Sequence, residues 1–384
     1  MPDYDCAVIG AGVFGAWIAY RLRLSGRTVA LIDALGPGNS RSSSGGESRI
    51  TRSSYGPDEI YSRWALRSLP AWKQVFQNTG QPHLFQHTGV LWTAPEADPR
   101  VASNRQALVN SGVRFELLSG VEVTYRWPQF RFPEPVAGIY EPESGVLLAR
   151  RAVQAVVAEA VRAGVEFIMA VAEPPDGGGR IDQIRIGPDT SIRAGDFVYA
   201  CGPWLPKAFP RLLKDRIHAT RQDVFFFSPP PSDRRFSPPF MPAWLHYGDP
   251  RGGYALPDME SRGFKLAFDR HGHLIDPDEM DRIVSQEAVA EARAFLSERF
   301  PALRNAPLVE TRVCQYENTS NGDFLLDRHP ELENVWIAGG GSGHGFKHGP
   351  AVGEYVEQLL SGCGTPEPRF SFASKGMARA RAVY

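Results

Sequence analysis

Apolar and polar positions over residues 6–32 follow a pattern that predicts strand, turn, helix and strand. Residues 6–9 are a short apolar run typical of a buried strand, and residues 13–25 show the spacing of an apolar helix face. Gly26 ends this predicted helix, and residues 29–32 form a second apolar run. Buried strands joined by a helix are typical of a parallel sheet, so the pattern predicts a β-α-β unit at the start of the chain.

The turn between the first predicted strand and the helix has the glycine spacing G-x-G-x-x-G. The first glycine makes the tight turn, the second lets the backbone approach a pyrophosphate, and the third lets helix and strand pack closely. Asp33 follows the third glycine by eighteen residues and can accept hydrogen bonds from ribose hydroxyls. A turn without a ligand is disfavoured because every part of the motif is present. The residues predicted to hold a dinucleotide here are Gly10, Gly12, Val13, Phe14, Gly15 and Asp33.

The remaining pattern alternates strands and helices. Helical spacing predicts helices at residues 58–76, 98–111, 150–163 and 284–299. The segments "RIDQIRIG" and "TSIRAGDFVYACG" are typical of an antiparallel meander that returns to the parallel sheet, and "QDVFFFS", "GGYALP" and "RGFKLAF" predict further strands. We therefore predict a mixed α/β (α+β) fold of two domains. A discontinuous Rossmann-like domain takes residues 1–80, 146–215 and 307–384, and a domain with a large antiparallel or mixed sheet takes residues 81–145 and 216–306.

A second Gly-rich strand–loop–helix pattern, "ENVWIAGGGSGHGFKHGPAVGEYVEQLL", lies near the end of the chain. Such a loop lays backbone N–H groups and a helix N-terminus against a negative part of a ligand. A nicotinamide dinucleotide does not need it, whereas a reduced flavin is anionic and favours positive charge nearby. The second loop therefore favours FAD over NAD, and the discontinuous domain is predicted to bind FAD.

Composition excludes several other classes of protein. The 384 residues carry a net charge of −1, so nothing indicates a nucleic-acid or membrane surface. The N-terminal "MPDYDC" lacks the basic segment of a signal peptide, and we expect a cytoplasmic chain. The cysteines form no C-x-x-C pair, which argues against a zinc site or a disulfide framework, and we expect no metal. These cysteines are Cys6, Cys201, Cys314 and Cys363.

Several motifs, in their order along the chain, resemble the monomeric sarcosine oxidase family, which are FAD-dependent amine oxidases of the D-amino-acid-oxidase-like superfamily. They are "VIGAGVFG" with Asp33, "GESRITRSSYG", "EPESGVL", "RGFKL", "VCQYENT" with "GDFLLDRHPE", and "GGGSGHGFKHGPAVGE". The likeness runs from about residue 4 to residue 370. It implies a Rossmann-like FAD domain with a substrate domain. It also implies FAD contacts, beyond the first turn, by Ser42, Ser43, Arg49, Val171, Cys314, Gly341, Gly343, His344, Gly345, Phe346 and Lys347.

The resemblance implies a role for Cys314 and for two cations. Cys314 matches the cysteine that carries the flavin covalently in that family, although its spacing alone is typical of a small buried residue. Arg52 and Lys347 match the pair that holds the substrate carboxylate. A planar guanidinium and a compact ammonium are a chemically suitable combination for one carboxylate.

Further matches concern oxygen and the flavin surroundings. Lys265 matches a lysine that promotes reaction with oxygen in the family, although strand alternation also permits a solvent-facing position. Arg49 and Ser48 are implied to lie near the flavin. Tyr254 and Tyr316 match aromatic residues that line the substrate cavity, and each is also compatible with an interface tyrosine whose hydroxyl is paired.

Two positions depart from the family pattern. Gly45 and Asp269 stand where sarcosine oxidases have active-site histidines. Loss of both is expected to enlarge the cavity, and Asp269 adds a negative charge that can meet a cationic or hydroxyl-bearing group. Sarcosine itself is therefore disfavoured, and a larger N-substituted or cyclic amino acid is expected, with a glycated (Amadori-type) amino acid as the alternative.

These observations predict an FAD-dependent oxidase of secondary amines that bear a carboxylate. Hydride from the α-carbon or N-methyl group would pass to flavin N5, water would hydrolyse the imine, and O2 would be reduced to H2O2. The expected partners are a small-molecule amine and O2, and we expect a monomer. Two alternatives remain: an NAD-dependent dehydrogenase, which leaves the second loop, Lys265 and Cys314 unexplained, and a non-catalytic flavin-binding sensor.

Overall fold

A computed structural model gives the fold and describes residues 3–175, 177–249 and 251–376. Its strands, in chain order, are β1 (Tyr4–Ile9), β2 (Val29–Asp33), β3 (Arg49–Thr51), β4 (Phe85–Gln86), β5 (Val90–Pro95), β6 (Glu116–Ser119), β7 (Val136–Glu141), β8 (Gly145–Leu147), β9 (Glu166–Met169), β10 (Gln183–Arg185), β11 (Ser191–Tyr199), β12 (Ile217–Phe227), β13 (Ala243–His246), β14 (Gly253–Leu256), β15 (Phe264–Phe268), β16 (Leu308–Thr319), β17 (Leu325–Arg328) and β18 (Val335–Gly339). The α-helices are α1 (Val13–Leu24), α2 (Glu59–Asn78), α3 (Pro99–Asn110), α4 (Gly120–Arg126), α5 (Ala149–Arg162), α6 (Leu205–Ala208), α7 (Pro210–Leu213), α8 (Gln286–Arg299) and α9 (Gly349–Leu360).

The sheet that carries the first Gly-rich turn has seven strands in the order β17-β18-β11-β1-β2-β9, with β10 paired to β11. Strand β1 is parallel to both β2 and β11, and β11 is parallel to β18. Parallel neighbours require a crossover, which α1 supplies between β1 and β2. Because the carboxyl ends of parallel strands meet at one edge, the Gly-rich segments after β1 and β18 lie at the same edge of this sheet.

The second sheet has eight strands in the order β16-β12-β15-β14-β13-β5-β7-β6 and is antiparallel except between β13 and β5. Strands β12 and β16 pair over their full length, so that Gln222 lies opposite Cys314 and Thr220 lies opposite Tyr316. On the other side of β12, Phe226 lies opposite Lys265 of β15. Lys265 on β15 and the pair Cys314 and Tyr316 on β16 therefore lie on the two strands that flank β12. A third, small sheet in the order β3-β8-β4 carries Arg49.

Helix α1 is buried along most of its length because it packs against α5 and α9 as well as the parallel sheet. Close approach of α9 depends on Gly353, where a Cβ would stand 2.6 Å from the backbone oxygen of Trp17. The Trp17 ring is 1% exposed and meets Trp72 edge-on at 5.0 Å between centroids. This packing holds the N-terminal end of α1, and with it the first glycine turn, in a fixed position.

The predicted fold class is confirmed: the chain is a mixed α/β protein with a Rossmann-like parallel sheet and a large mixed sheet. The four helices predicted after the first unit are present as α2, α3, α5 and α8, within a few residues of their predicted ends. Strand β16 follows position 307 in the chain and yet pairs with β12 in the eight-stranded sheet. The division of the chain into two domains remains a prediction.

Candidate cofactor and substrate site

A cavity of about 620 Å³ opens at the carboxyl edge of the parallel sheet. Its wall includes the first glycine turn, the segment after β2, the segment after β11, part of β16 and the second Gly-rich loop. The sequence-predicted residues in this wall are Gly10, Gly12, Val13, Phe14, Asp33, Ser42, Ser43, Arg49, Val171, Tyr316, Gly341, Gly343, Gly345 and Phe346. The predicted cofactor contacts outside the wall are Gly15, Cys314, His344 and Lys347.

The first glycine turn is shaped by a backbone conformation that favours glycine. Gly10 has φ of +106°, and a Cβ there would stand 2.4 Å from the backbone oxygen of Ala200. Gly15 lies against Gly10, since its Cβ would stand 1.8 Å from the Gly10 oxygen, which explains why Gly15 is a packing residue outside the cavity wall. The backbone N–H of Val13 donates to Ser44 Oγ at 3.0 Å.

Asp33 closes this turn from the end of β2. Its two carboxylate oxygens accept backbone N–H groups, from Ala11 at 2.7 Å and from Leu35 at 2.8 Å. The side chain therefore braces the glycine turn as well as lining the cavity, and its predicted contact to ribose remains a prediction.

The second Gly-rich loop wraps around the end of β16. Ser342 N donates to the backbone oxygen of Glu317 at 2.7 Å, and Ser342 Oγ accepts from Thr319 N at 3.2 Å. Gly343 has φ of +79°, and a Cβ there would meet the Tyr316 ring at 2.7 Å. The loop and β16 thus form one continuous wall of the cavity.

Polar side chains stand between the two Gly-rich edges of this cavity wall, among them Ser43, Gln315 and Glu317. The cavity and its two Gly-rich edges fit a dinucleotide such as FAD.

Beside the cavity lies a first cationic cluster that contains Arg49, Lys265, Ser48 and Cys314. Arg49 Nη2 donates to Cys314 Sγ at 3.4 Å and to the Ser43 oxygen at 2.6 Å. Lys265 Nζ donates to the Ser48 backbone oxygen at 3.0 Å and to Ser48 Oγ at 3.3 Å. Burial, and next the neighbouring Arg49 charge, lower the pKa of Lys265 to about 7.

A second cationic cluster contains Arg52, Lys347 and Tyr55. Lys347 Nζ donates to Tyr55 Oη at 2.7 Å and to the His344 oxygen at 2.9 Å. The Arg52 guanidinium carbon lies 4.3 Å from the Tyr55 ring centroid, and Arg52 donates to the Ser54 backbone oxygen. Both cations are buried, so their charge is held away from bulk water.

Tyrosines connect this second cluster to the cavity. Tyr316 lines the cavity wall and donates through Oη to Asp269 Oδ1 at 3.1 Å. The Asp269 carboxylate in turn interacts electrostatically with Arg52. Burial raises the pKa of Tyr254, whose hydroxyl also interacts with Tyr316. The structure thus brings together the residues predicted for substrate binding, while their individual roles remain predictions.

One sequence expectation does not hold. Gly45 was expected to leave space where a histidine is missing, but a Cβ at Gly45 would stand 1.9 Å from the backbone oxygen of Asn39. The backbone of residues 39–40 fills this place, so Gly45 does not enlarge the cavity. Asp269, which accepts from Tyr316, remains the departure predicted to change the chemistry of the site.

Sequence reasoning missed several residues that shape the site. Ser44 Oγ accepts from the first turn, Tyr55 contacts both Arg52 and Lys347, and Tyr247 Oη accepts from Arg52 Nη2 at 3.4 Å. Glu141 accepts the backbone N–H groups of Ser53 at 2.8 Å and Ser54 at 3.0 Å, which fixes the backbone beyond Arg52. Tyr55 and Glu141 belong to motifs that match the family, "GESRITRSSYG" and "EPESGVL", whereas Ser44 and Tyr247 lie outside those motifs.

Fold and cavity define a dinucleotide-binding α/β protein, and comparisons with known proteins identify its class. The family model described as "FAD dependent oxidoreductase" matches residues 5–359. Monomeric sarcosine oxidase from Bacillus sp. (strain B-0618) is 34% identical over 376 residues, which cover 93% of this chain and 92% of that protein.

Solved structures share the fold. L-proline dehydrogenase from P. horikoshii superposes with a TM-score of 0.84 at 23% identity, covering 99% of this chain and 100% of that one. Amadoriase I, a fructosyl amine:oxygen oxidoreductase from Aspergillus fumigatus, superposes with a TM-score of 0.79 at 20% identity, covering 97% of this chain and 91% of that one.

The chain belongs to the FAD-dependent oxidoreductases and, within them, to the monomeric sarcosine oxidase family. It is a flavin-dependent amine oxidoreductase, which sets aside the NAD-dependent dehydrogenase and the non-catalytic sensor. In the part of the chain that the structure describes, the helices are too short or too polar to span a bilayer.

Proposed function

We propose that the protein is an FAD-linked oxidase of secondary amines that bear a carboxylate, with O2 as electron acceptor. The observation that carries this proposal is the pair of buried cations Arg52 and Lys347, which share Tyr55 beside the cavity. A planar guanidinium and an ammonium held together offer a carboxylate two fixed, desolvated partners. Relatives named as sarcosine oxidases support the same substrate class.

Bound FAD would supply the electron acceptor for the amine. The first glycine turn, Asp33 and the second Gly-rich loop are the residues that would hold it, and Arg49 places positive charge beside the cavity. The residues of the chain then bind and orient the substrate: Arg52 and Lys347 fix its carboxylate, and Tyr316 and Tyr254 enclose its amine side. Two electrons and two protons leave the amine and convert O2 to H2O2, and water hydrolyses the imine.

Lys265 is proposed to serve the oxygen half of the reaction. It is 3% exposed and lies in the first cationic cluster, apart from Arg52 and Lys347. A buried ammonium stabilises negative charge that develops on oxygen, because low dielectric strengthens the interaction. This arrangement separates the cations that bind the substrate from the cation that assists oxygen.

Cys314 is proposed to carry the flavin covalently. The contact of its sulfur with the Arg49 guanidinium places a cation where a thiolate would form. As a free thiol it would be a half-buried packing residue on β16.

A larger substrate than sarcosine is favoured by one specific contact. Asp269 accepts from the Tyr316 hydroxyl, so a carboxylate and a phenol lie side by side next to the substrate cations. These groups suit a hydroxyl-bearing or cationic substituent, as in a glycated amino acid, and the solved amadoriase shares the fold. We keep monomeric state and cytoplasmic location as predictions.

The decisive experiment combines intact mass with peroxide release. We expect acid-denatured protein to retain the mass of one FAD, and Cys314→Ala to lose it. We further expect peroxide from N-methyl, cyclic or glycated amino acids and none from the matching amines without a carboxylate. A flavin that is bleached by amines but not re-oxidised by O2 would contradict the oxidase proposal, and flavin released from the unsubstituted protein by acid would contradict the tether.

A further inference from the structure

Glu317 is a buried acid in the cavity wall with no role in substrate binding. It lies on β16, is 7% exposed, and its Oε1 lacks a hydrogen-bond partner of ordinary geometry among the described residues. The backbone N–H groups of Gly340 and Gly341 point toward its carboxyl group closely enough to lower its pKa. Burial of an acid is costly, and Glu317 lies in the wall of a ligand cavity, where a ligand can contact the part of its carboxyl group that the backbone amides leave open.

The carboxyl group of Glu317 lies between the two Gly-rich segments. A Cβ at Gly339 would stand 2.4 Å from Glu317 Oε1, and a Cβ at Gly202 would stand 4.0 Å from Oε2. Gly202 follows the end of β11 and comes shortly after Ala200, whose backbone oxygen packs against Gly10 of the first turn. A dinucleotide that reaches from the first turn to the second loop therefore passes this side chain.

Burial keeps this acid mostly protonated below about pH 7. Burial is the largest effect and raises the pKa of Glu317 to about 7, against the two backbone amides. The titratable groups on nearby elements include the Cys201 thiol, Asp33 behind the first turn, His218 on β12 and Lys207 on α6, and two cations, Arg41 and Arg49, line the same cavity. Lys207 is engaged by Asp276 and Asp278 at 2.6 Å, and burial lowers the pKa of His218, so neither supplies a firm counter-charge.

We propose that Glu317 is a hydrogen-bond donor to the dinucleotide, so that FAD binds together with a proton held on this carboxyl group. Between its flavin and its adenine, FAD offers phosphate and hydroxyl oxygens, which are good acceptors. A carboxylate at this place would repel the phosphates, whereas a carboxylic acid donates to them. The proposal concerns the cofactor alone and depends on neither the amine nor oxygen.

Proton-linked binding has a defined signature. FAD binds the protonated form, so affinity is constant well below pH 7 and falls toward tenfold for each further pH unit above it. Between pH 6 and pH 8.5 we expect the dissociation constant to rise about tenfold or more. The pH at which the decline begins reports the pKa of Glu317 in the FAD-free protein.

The test uses Cys314→Ser protein, in which FAD binding is reversible, and follows the quenching of FAD fluorescence from pH 6 to pH 8.5. Adding Glu317→Gln, which keeps a donor but does not ionise, should flatten the pH dependence. Adding Cys201→Ser, which removes the neighbouring thiol, should leave the slope in place. Equal slopes with and without the Glu317→Gln substitution, or a slope that disappears with the thiol, would overturn the proposal.

A calorimetric measurement covers the case in which the glutamine variant fails to fold. Binding of FAD to protein with Cys314→Ser and Lys265→Met, measured at pH 8 in two buffers of different ionisation enthalpy, should take up close to one proton, since Lys265, whose pKa is also about 7, is then removed. No proton uptake would overturn the proposal whatever the fate of the variant. A protein that binds no FAD at pH 6 would overturn it too, whereas failure of amine oxidation alone would leave it standing.

Discussion

One short segment of chain contains two arginines, Arg49 and Arg52, and each lies in a cluster with one lysine. The surroundings of the two clusters differ. Arg49 and Arg52 are three positions apart along β3 and its extension, so their side chains leave on opposite faces. Arg49 joins Lys265, whose ammonium meets the carbonyl and hydroxyl of Ser48. Arg52 joins Lys347, and both engage Tyr55.

This difference separates the charge of Arg52, whose pKa is raised, from the charge of Lys265, which titrates near neutral pH. The pKa of Lys265 is lowered to about 7 by burial and by Arg49, so its charge responds to pH and to any anion that forms nearby. Lys347 is ordered by Tyr55 Oη at 2.7 Å and the His344 oxygen at 2.9 Å, and Asp269 offsets part of the positive charge near Arg52. The Arg52 side suits a stable carboxylate, and the Lys265 side suits a charge that appears during turnover.

The largest expected effect is on the pair formed by Arg52 and Lys347. Lys347→Met should lower kcat/KM for the amine by about 10³-fold, since it leaves the substrate carboxylate without one buried partner. Flavin content should remain unchanged, and steady-state kinetics with absorbance spectra measure both. Lys214→Met, at an exposed lysine, is the matched control and should retain full activity. Equal activity of the two variants would contradict the assignment of Lys347.

The next effect concerns Lys265, whose charge changes near neutral pH. Lys265→Met should slow oxygen consumption about 10²-fold while anaerobic bleaching of the flavin by the amine changes little. Because Lys265 is charged below its pKa of about 7, the oxygen reaction of the unsubstituted protein should fall as pH rises through that range. Stopped-flow mixing of the reduced protein with oxygen at several pH values measures the rate of this reaction. A Lys265→Met variant that retains the pH dependence would show that another group is responsible.

Local sequence patterns were enough for the first glycine turn and not for the contacts around the cations. Gly10 has a backbone conformation that favours glycine, and the spacing of three nearby glycines in the sequence indicates this turn. Tyr55 meets Lys347 across 292 positions, so nothing local to either residue marks the pair. Such contacts follow from tertiary packing, which a spacing pattern does not carry.

Register explains the second group of residues that the sequence did not reveal. Glu317 faces the cavity because β16 pairs with β12 and ends against the second Gly-rich loop. The motif "VCQYENT" was a match to the family, while the burial of its glutamate depends on that long-range pairing. At Gly45 a missing side chain suggested open space, and the backbone oxygen of Asn39 takes that place.

A third effect should appear in stability. The pKa of Lys265 is about 7 in the folded protein against 10.5 in the unfolded chain, so the unfolded chain binds more protons between these values. Stability of FAD-free protein should therefore rise with pH in that window. Lys265→Met in the Cys314→Ser background should be more stable at pH 7 by about 2 kcal/mol, with the advantage shrinking toward pH 10. Urea unfolding at several pH values measures it, and an advantage that is constant with pH would contradict the role of ionisation.

The smallest expected effect is at Asp269, the acid that accompanies only the Arg52 side. Asp269→Asn keeps the hydrogen bond to Tyr316 and removes the charge, so carboxylate binding should survive. The preference for hydroxyl-bearing or cationic substituents over plain N-methyl amino acids should fall about fivefold, which is the size of one exposed or partly exposed charge contact. The ratio of kcat/KM values for a glycated and an N-methylated form of one amino acid measures this preference. If both kcat/KM values fall together and their ratio is unchanged, Asp269 acts through the charge of Arg52 and does not contact the substituent of the substrate.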